Sequence, residues 1–340
     1  MITPTKNAGN ARSASPDAWK RHAACLWRLT RSPSASGRAR TVCRRAMVIR
    51  AMAVVVCLLF AEGLTSVGAL AQSLASEWVQ GHNVRTRLVA GHVPVVAGSE
   101  GRQAATSLAA GLEMELADGW KTYWRVPGDA GGVPPEFDWG ESENVAPVKI
   151  EYPAPIRMTD RAGSTIGYKG RVVFPALITP KDATRPVKLR LMLAFGVCHD
   201  ICVPSEGTYE ITIPPGGAPL STELVSALAR VPVGAAHAQE AVRKPTPRLA
   251  KVETDLTAAT PTVTLHVLFP AGPTGADVFV EGPVGEYVPM TRHNGTGTDG
   301  AQIFVVDLSK GADVAALKGQ ILRVTMVSQS GSAEATFTLQ

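Results

Sequence analysis

From Leu189 to Ile213 the apolar residues repeatedly fall on every second position. Leu189, Leu191, Leu193 and Phe195 come first; Tyr209, Ile211 and Ile213 follow, separated by polar Glu210 and Thr212. A period of two lets a strand bury one face and wet the other, whereas a helix needs a period near 3.6. The pattern recurs upstream, where Val84, Thr86 and Leu88 alternate with Arg85 and Arg87, and Leu112, Met114 and Leu116 alternate with Glu113 and Glu115. "RVVFPALI", Arg171 to Ile178, is a further β-rich run. With frequent Gly and Pro between the runs, the sequence predicts an all-β chain of antiparallel sheets packed as a sandwich.

Pro214-Pro215-Gly216-Gly217 closes this region. "STELVSALARV" (221–231) predicts a short helix capped by Ser221, and "GAAHAQEAVRKPTP" reads as linker. A second β-rich stretch follows, in which Val263, Leu265, Val267 and Phe269 alternate before "ADVFVEG", "AQIFVVDL", "ILRVTMVS" and "EATFTLQ". The expected organisation is a first sandwich over 76–215, helix and linker over 216–250, and a second, smaller sandwich over 251–340. A chain of 340 residues is long enough for two such domains.

The formal charge of +5 invites a nucleic-acid partner, but its distribution argues against one. Residues 1–71 hold 11 Lys and Arg against Asp17 and Glu62, leaving 34 − 11 = 23 basic and 29 − 2 = 27 acidic residues, a net of −4 beyond them. The basic segment reads as a leader. Arg50 precedes an apolar run of 11 residues that Glu62 interrupts, and Ala69-Leu70-Ala71 offers an A-x-A cleavage site. Those are the parts of a secretory signal peptide, over 47–71. The alternative, a membrane anchor, needs ~20 apolar residues. Residues 1–46 match neither an n-region nor a domain, so Met47 is an alternative start and the first 46 residues a non-structural extension. Arg44-Arg45 is followed by a poor match to a twin-arginine signal. The expectation is an exported periplasmic protein, soluble after signal cleavage, without stable membrane insertion or nucleic-acid binding.

Cys25, Cys43 and Cys57 lie in that leader, so only Cys198 and Cys202 remain after cleavage. Cys57 lies inside the apolar run rather than at its end, which argues against a lipoprotein. Four residues of extended chain span ~13 Å, whereas disulfide Cα atoms sit ~5.5 Å apart. A bond between the two therefore demands a turn, at the tip or edge of a hairpin. Closing so short a loop stabilises a fold by roughly 2 kcal/mol, and a sandwich of this size hardly needs it. Redox exchange is thus the sharper reading and a structural disulfide the bland one. Copper(I) on Cys198, His199 and Cys202, with Met192, is a third, because soft thiolates suit that ion. The spacing fits no four-ligand zinc site, and the context fits no Cys–His hydrolase. His199 alone reads as a solvent-facing loop residue.

"DGWKTYWRVPGDAGGVPPEFDW" (118–139) is dense in aromatics, Gly and Pro. Its aromatics Trp120, Tyr123, Trp124 and Trp139 suit core packing beneath the cysteine hairpin; with Arg125 they also suit a partner-docking surface. "PGDAGG" reads as a turn, since a phosphate loop needs a following helix and Lys. In order with "YPAPIRM", "GSTIGYKGRVVFPALI" and "FGVCHDICVPSEGTYEI", this stretch resembles the amino-terminal periplasmic domain of the DsbD/ScsB thiol:disulfide interchange family over about residues 76–215. The second sandwich resembles the extra β-domain of some ScsB-like proteins.

The resemblance implies an immunoglobulin-like sandwich whose cysteines shuttle electrons without a cofactor or metal. Electrons come from a membrane-embedded DsbD/CcdA-like donor and pass to periplasmic thioredoxin-like proteins, including disulfide isomerases and cytochrome c maturation proteins. On this reading Cys202 forms mixed disulfides and Cys198 resolves them. A cap loop corresponds to "AGSTIGYKG", with Ile166 and Tyr168 shielding the pair, and Trp120, Tyr123, Trp124 and Arg125 are candidate partner contacts. Full-length relatives carry a polytopic membrane domain and a thioredoxin-like domain that are not found in this sequence. A sandwich offers no helix N-terminus beside the thiols, so an ordinary thiol pKa is expected. The competing expectation is a non-enzymatic binding module with a static disulfide.

Overall fold

The computed structural model describes residues 74–92, 108–161, 163–234 and 246–340. The leader, its three cysteines and the middle of the linker lie outside the described residues. Among the described residues no helix is long and apolar enough to cross a membrane.

The first sandwich has twelve strands: β1 (Leu74–Ala75), β2 (Val79–Gly81), β3 (Val84–His92), β4 (Leu108–Leu116), β5 (Lys121–Tyr123), β6 (Glu136–Asp138), β7 (Lys149–Ile150), β8 (Ile156–Asp160), β9 (Gly163–Lys169), β10 (Arg171–Ile178), β11 (Val187–Cys198) and β12 (Cys202–Ile213). One sheet runs β1-β3-β4-β10-β7, with β2 also on β3. The facing sheet runs β12-β11-β5-β9-β8, with β6 also on β11. The ladders are antiparallel. The expected immunoglobulin-like all-β class holds. Leu88, Leu112 and Phe174 of one sheet and Leu189, Leu191 and Phe195 of the other meet in one buried core, as the alternation requires.

Helix α1 (Thr222–Leu228) begins where the Ser221 hydroxyl accepts from the Leu224 amide, 3.2 Å. That bond satisfies one of the donors a helix start leaves open. Leu224 and Ala227 bury against Val89, Ala109 and Val173, on the outer face of the first sheet.

The second sandwich is smaller: β13 (Arg248–Asp255), β14 (Thr262–Leu268), β15 (Asp277–Glu281), β16 (Arg292–Thr296), β17 (Gln302–Asp307), helix α2 (Val314–Leu317), β18 (Ile321–Ser328) and β19 (Gly331–Thr338). Its sheets run β13-β14-β17-β16 and β15-β18-β19, around Leu265, Phe304, Val324 and Met326.

The two sandwiches lie within one compact unit, Ala71–Gln340. Phe279 and Val327 of the second sandwich bury into the core of the first, with Phe279 5.9 Å from the Trp124 ring. Arg125 donates two 2.7 Å bonds to the Glu281 carboxylate and pairs with Glu334, while its guanidinium lies over Trp124. Burial opposes its charge, but the two carboxylates outweigh burial and hold its pKa above the ordinary arginine value. Arg157 forms a second fork on Asp277, at 2.8 and 2.7 Å, and reaches Thr291. Such planar two-point pairs fix orientation as well as charge.

Candidate functional site

β11 and β12 pair in register from Val187↔Ile213 to Cys198↔Cys202. His199, Asp200 and Ile201 are left to turn the chain, and the His199 amide donates to the Ile201 carbonyl, 3.1 Å. Register thus sets the two cysteines side by side, and they form a disulfide with a Cα–Cα distance of 4.1 Å. Side chains alternate across a strand. Leu193, Phe195 and Val197 take the core, so Cys198, with Gly196, Ala194 and Met192, faces outward. Across the ladder Tyr209, Ile211 and Ile213 face the core, and Cys202 again faces out. The disulfide therefore lies on the outer face of the sheet, at the hairpin tip.

The two sulfurs differ in access. Cys198 is 1% exposed, because β5 flanks it with the pairing Cys198↔Lys121, whereas Cys202 is exposed. Ile201 beside it is 69% exposed.

The Tyr123 hydroxyl lies 3.2 Å from Cys202 Sγ. Burial, and then the nearby Asp160 carboxylate, raise the Tyr123 pKa, so the phenol keeps its proton. The Lys121 ammonium, beside Cys198, donates to Asp160 Oδ2 at 2.7 Å. The ammonium beside Cys198 is thus already paired with an anion. His199 sits at the rim, its Nδ1 3.0 Å from Asp200 Oδ2. Its ring is 5.8 Å from Trp120, which also meets His82 edge-on at 5.1 Å.

Over this face runs a strap, Pro127–Val133. Its ends are tied by backbone bonds: the Ile166 amide donates to the Pro127 carbonyl, 2.8 Å, and the Gly196 amide to the Val133 carbonyl, 3.1 Å. Gly132 has φ +151 and lies against the Tyr123 ring so closely that a Cβ would collide with it. Only glycine suits both conditions. The sequence marks this segment only as a turn, through Gly131-Gly132 just after the aromatic run.

The predicted site residues divide. Trp120 and Tyr123 lie at the disulfide. Trp124 and Arg125, the next two residues, are occupied in the seam between the sandwiches and present no free docking surface. Ile166 and Tyr168 are 3% and 4% exposed and belong to the core, with the Tyr168 hydroxyl donating to the Pro153 carbonyl, 2.8 Å. Tyr168 pairs with Thr122, and Lys169 with Lys121. The residues facing the cysteine side are therefore Thr165, Gly167 and Lys169, and Ile166 and Tyr168 point away from it. Of "AGSTIGYKG", register sets Lys169 level with Lys121 and so with Cys198; its hairpin end is met by the Lys121 side chain, which also touches Thr165 Oγ1 at 3.4 Å.

Beyond the strap, the same outer face holds a cleft of about 690 Å³ over Met192 and Ala194, flanked by Glu136, Asp138 and Glu206. Met192 lies six residues back along β11 from Cys198. Among the described residues no group of three or more His, Cys, Asp or Glu side chains is placed to hold a metal ion.

Fold and site together define an immunoglobulin-like sandwich carrying a hairpin-tip disulfide with one accessible sulfur. Residues 96–214 match the family described as "Thiol:disulfide interchange protein DsbD, N-terminal". Among solved structures the chain is similar to the N-terminal periplasmic domain of ScsB from Proteus mirabilis, with 20% identity and a TM-score of 0.57, over 79% of this chain and 99% of that one. Residues 1–234 make up only 69% of 340, so the structural likeness extends into the second sandwich. No curated protein matches the chain.

Proposed function

We propose that the chain is a periplasmic thiol:disulfide exchange protein that works through Cys202 and Cys198. The observation carrying this is the asymmetry of the pair: one sulfur open at the hairpin tip, its partner buried directly behind it. Exchange needs an accessible sulfur and a second thiol that releases the mixed disulfide.

In the reduced protein the Cys202 thiolate attacks one sulfur of a partner disulfide. The Cys202–partner bond forms, the partner's S–S bond breaks, and the partner's other sulfur leaves as a thiolate that takes up the proton Cys202 gave up on ionising. The Cys198 thiol loses its proton and attacks Cys202 Sγ, expelling the second partner thiolate, which takes up a proton. Two electrons and two protons have moved, leaving the partner a dithiol and this protein oxidised. The reverse sequence with a dithiol donor recharges it. Tyr123 is placed to donate a hydrogen bond to Cys202 Sγ in its thiolate form. Among the described residues no helix N-terminus lies beside the pair, and with Lys121 matched by Asp160 these surroundings supply little further help to a thiolate.

A membrane-embedded DsbD/CcdA-like protein suits the donor role and periplasmic thioredoxin-like proteins the acceptor role, with Trp120 and the tip around Ile201 as the contact surface. Thiol trapping in cells tests the reading, alongside a Cys198→Ala variant that cannot resolve its adduct. The expected result is a partly reduced pair and a covalent Cys202–partner complex. A fully oxidised pair with nothing captured would leave a static disulfide in a binding module.

A further inference from the structure

β12 is the outer strand of its sheet, and one side of its backbone stays open. In β11 the N–H and C=O of Lys188 bond to Glu143, those of Arg190 to the Ser142 hydroxyl, and those of Gly196 to the Val133 carbonyl and the Thr122 hydroxyl. These partners lie on the side of β11 away from β12. An antiparallel ladder bonds through alternate residues. Thr212, Glu210 and Pro204 stand opposite those three in the register, so they turn their backbone groups outward, to the edge. The same parity covers Cys202, Glu206 and Thr208. All six are exposed, and among the described residues no strand other than β11 pairs with them. Pro204 has no N–H, so the outward donors are Cys202, Glu206, Thr208, Glu210 and Thr212.

This edge begins at the accessible cysteine. A strand laid antiparallel along it meets Cys202 in a hydrogen-bonded pair, with Cα atoms ~5.5 Å apart, which is also the usual separation across a disulfide. A cysteine at that place in the added strand shares a face with Cys202. Its sulfur, Cys202 Sγ and Cys198 Sγ then stand in one row across three neighbouring strands, the in-line order that exchange at sulfur requires. A second row carries charge. Counting back from such a cysteine, the fourth residue stands opposite Glu206, in the row Glu136–Ala194–Glu206. Glu206 forms no ion pair among the described residues, whereas Glu210 is held by Lys188 at 2.8 Å. The small Ala194 leaves the cleft of about 690 Å³ between the two carboxylates. A lysine or arginine at the fourth place can lay its stem over Ala194 with its charge between Glu136 and Glu206.

We propose that the outer edge of β12 docks the exchange partner. An extended segment of that partner pairs antiparallel with Cys202–Thr212, its reactive cysteine opposite Cys202 and a lysine or arginine, four residues before that cysteine, opposite Glu206. This rests on the exchange reading and adds the chemistry of the partner. Main-chain bonds at a free edge supply affinity, and side chains on one face select the sequence. Pro204 leaves a gap in that ladder, one of the ways an exposed edge is kept from joining strands at random. In the step itself the partner's thiolate attacks Cys202 Sγ. The new S–S bond forms, the Cys198–Cys202 bond breaks, and Cys198 leaves as a thiolate that takes up the proton the partner lost. The mixed disulfide is the same species in either direction of exchange.

The test uses the full chain and two single-cysteine peptides, long enough to reach Thr212, that differ only in Lys or Glu four residues before the cysteine. The rate constant for attack of each peptide thiol on the Cys198–Cys202 disulfide is measured relative to dithiothreitol, which cannot pair with a strand. The Lys peptide should react about fivefold faster than the Glu peptide, the upper scale of one cross-strand charge pair. Glu206→Lys should reverse that preference. Thr208→Pro removes an outward N–H and no bond to β11, and should slow both peptides about fivefold relative to dithiothreitol, the scale of one net hydrogen bond. If Thr208→Pro fails to fold, Glu206→Lys on the exposed surface still decides. Peptides that react alike with the parent and with Glu206→Lys, while dithiothreitol reduces the disulfide, would overturn the docking proposal and leave the exchange reading standing. So would a charge preference with Thr208→Pro folded and reacting at the parent rate, which is steering without strand pairing. A parent dimer that Thr208→Pro dissolves would give the edge to a second copy and overturn the proposal as well. A disulfide that neither the peptides nor dithiothreitol reduce would overturn both readings.

Discussion

Six consecutive residues, Trp120 to Arg125, serve two regions that behave in opposite ways. At the disulfide, Trp120 and Tyr123 meet a hairpin tip where one cysteine is exposed and the other buried. At the seam, Trp124 and Arg125 meet Phe279, Glu281 and Glu334, with the Glu281 side chain 9% exposed. The first region is built to be reached and the second to be sealed. Alternation along the chain accounts for the step from Tyr123 to Trp124, neighbours that point to opposite faces; Trp120 and Arg125 lie beyond the ends of β5, Lys121–Tyr123, and are placed by their own contacts. Tyr123 and Trp124 are not interchangeable aromatics.

The comparison breaks most visibly at Arg125. Arg125→Ala leaves the Glu281 carboxylate buried without its main cation, and removing one member of such a pair costs about 3–5 kcal/mol. Denaturant unfolding should show that loss, with the β11–β12 hairpin still able to form its disulfide; an unchanged midpoint would mean that the seam holds little. A second effect belongs to Tyr152, whose ring lies 5.7 Å from the Arg125 guanidinium. Burial pushes its pKa up to about 12 from an ordinary 10.0, against the pull of Arg125. Because the folded value is the higher, the contribution is fully present below pH 10. It is lost as pH rises toward 12, a loss of roughly 2–3 kcal/mol at 1.36 kcal/mol per pKa unit. Tyr152→Phe should flatten that alkaline limb, and an identical limb in the variant would assign it elsewhere. The smallest effect is expected at the disulfide itself. Its loop is so short that reduction should lower stability by no more than about 2 kcal/mol. Melting curves with and without reductant check this, and a drop as large as that of Arg125→Ala would erase the distinction between the regions.

How much of this was legible depended on locality. The alternation of Leu189–Phe195 and Tyr209–Ile213 marked both strands, and its parity already put Cys198 and Cys202 on the face opposite the core. The same parity rule applied to Gly163–Lys169 would have sent Ile166 and Tyr168 inward, because Gly167 and Lys169 occupy the cysteine side. Ser221 was readable as a cap because the signal and its effect lie three residues apart. The seam was not. Arg125 meets Glu281 and Glu334, 156 and 209 residues away, and nothing near Arg125 distinguishes an arginine awaiting a partner protein from one already paired within its own chain. Asp129, which accepts from the Tyr287 hydroxyl and the Met290 amide, was opaque for the same reason: its partners sit 158 and 161 residues further on.

The burial of Cys198 behind Cys202 also bears on time. In the exchange proposed here, a partner captured on Cys202 is joined to a sulfur that already has its competitor beside it, on the neighbouring strand. The resolving attack is intramolecular and needs no second encounter, and well-oriented reactions of that kind outpace their bimolecular counterparts by large factors. On that proposal Cys198 would act as a built-in clock for the mixed disulfide: the hairpin register would decide how long a partner is detained, and removing that one sulfur would stop the clock with the partner still attached.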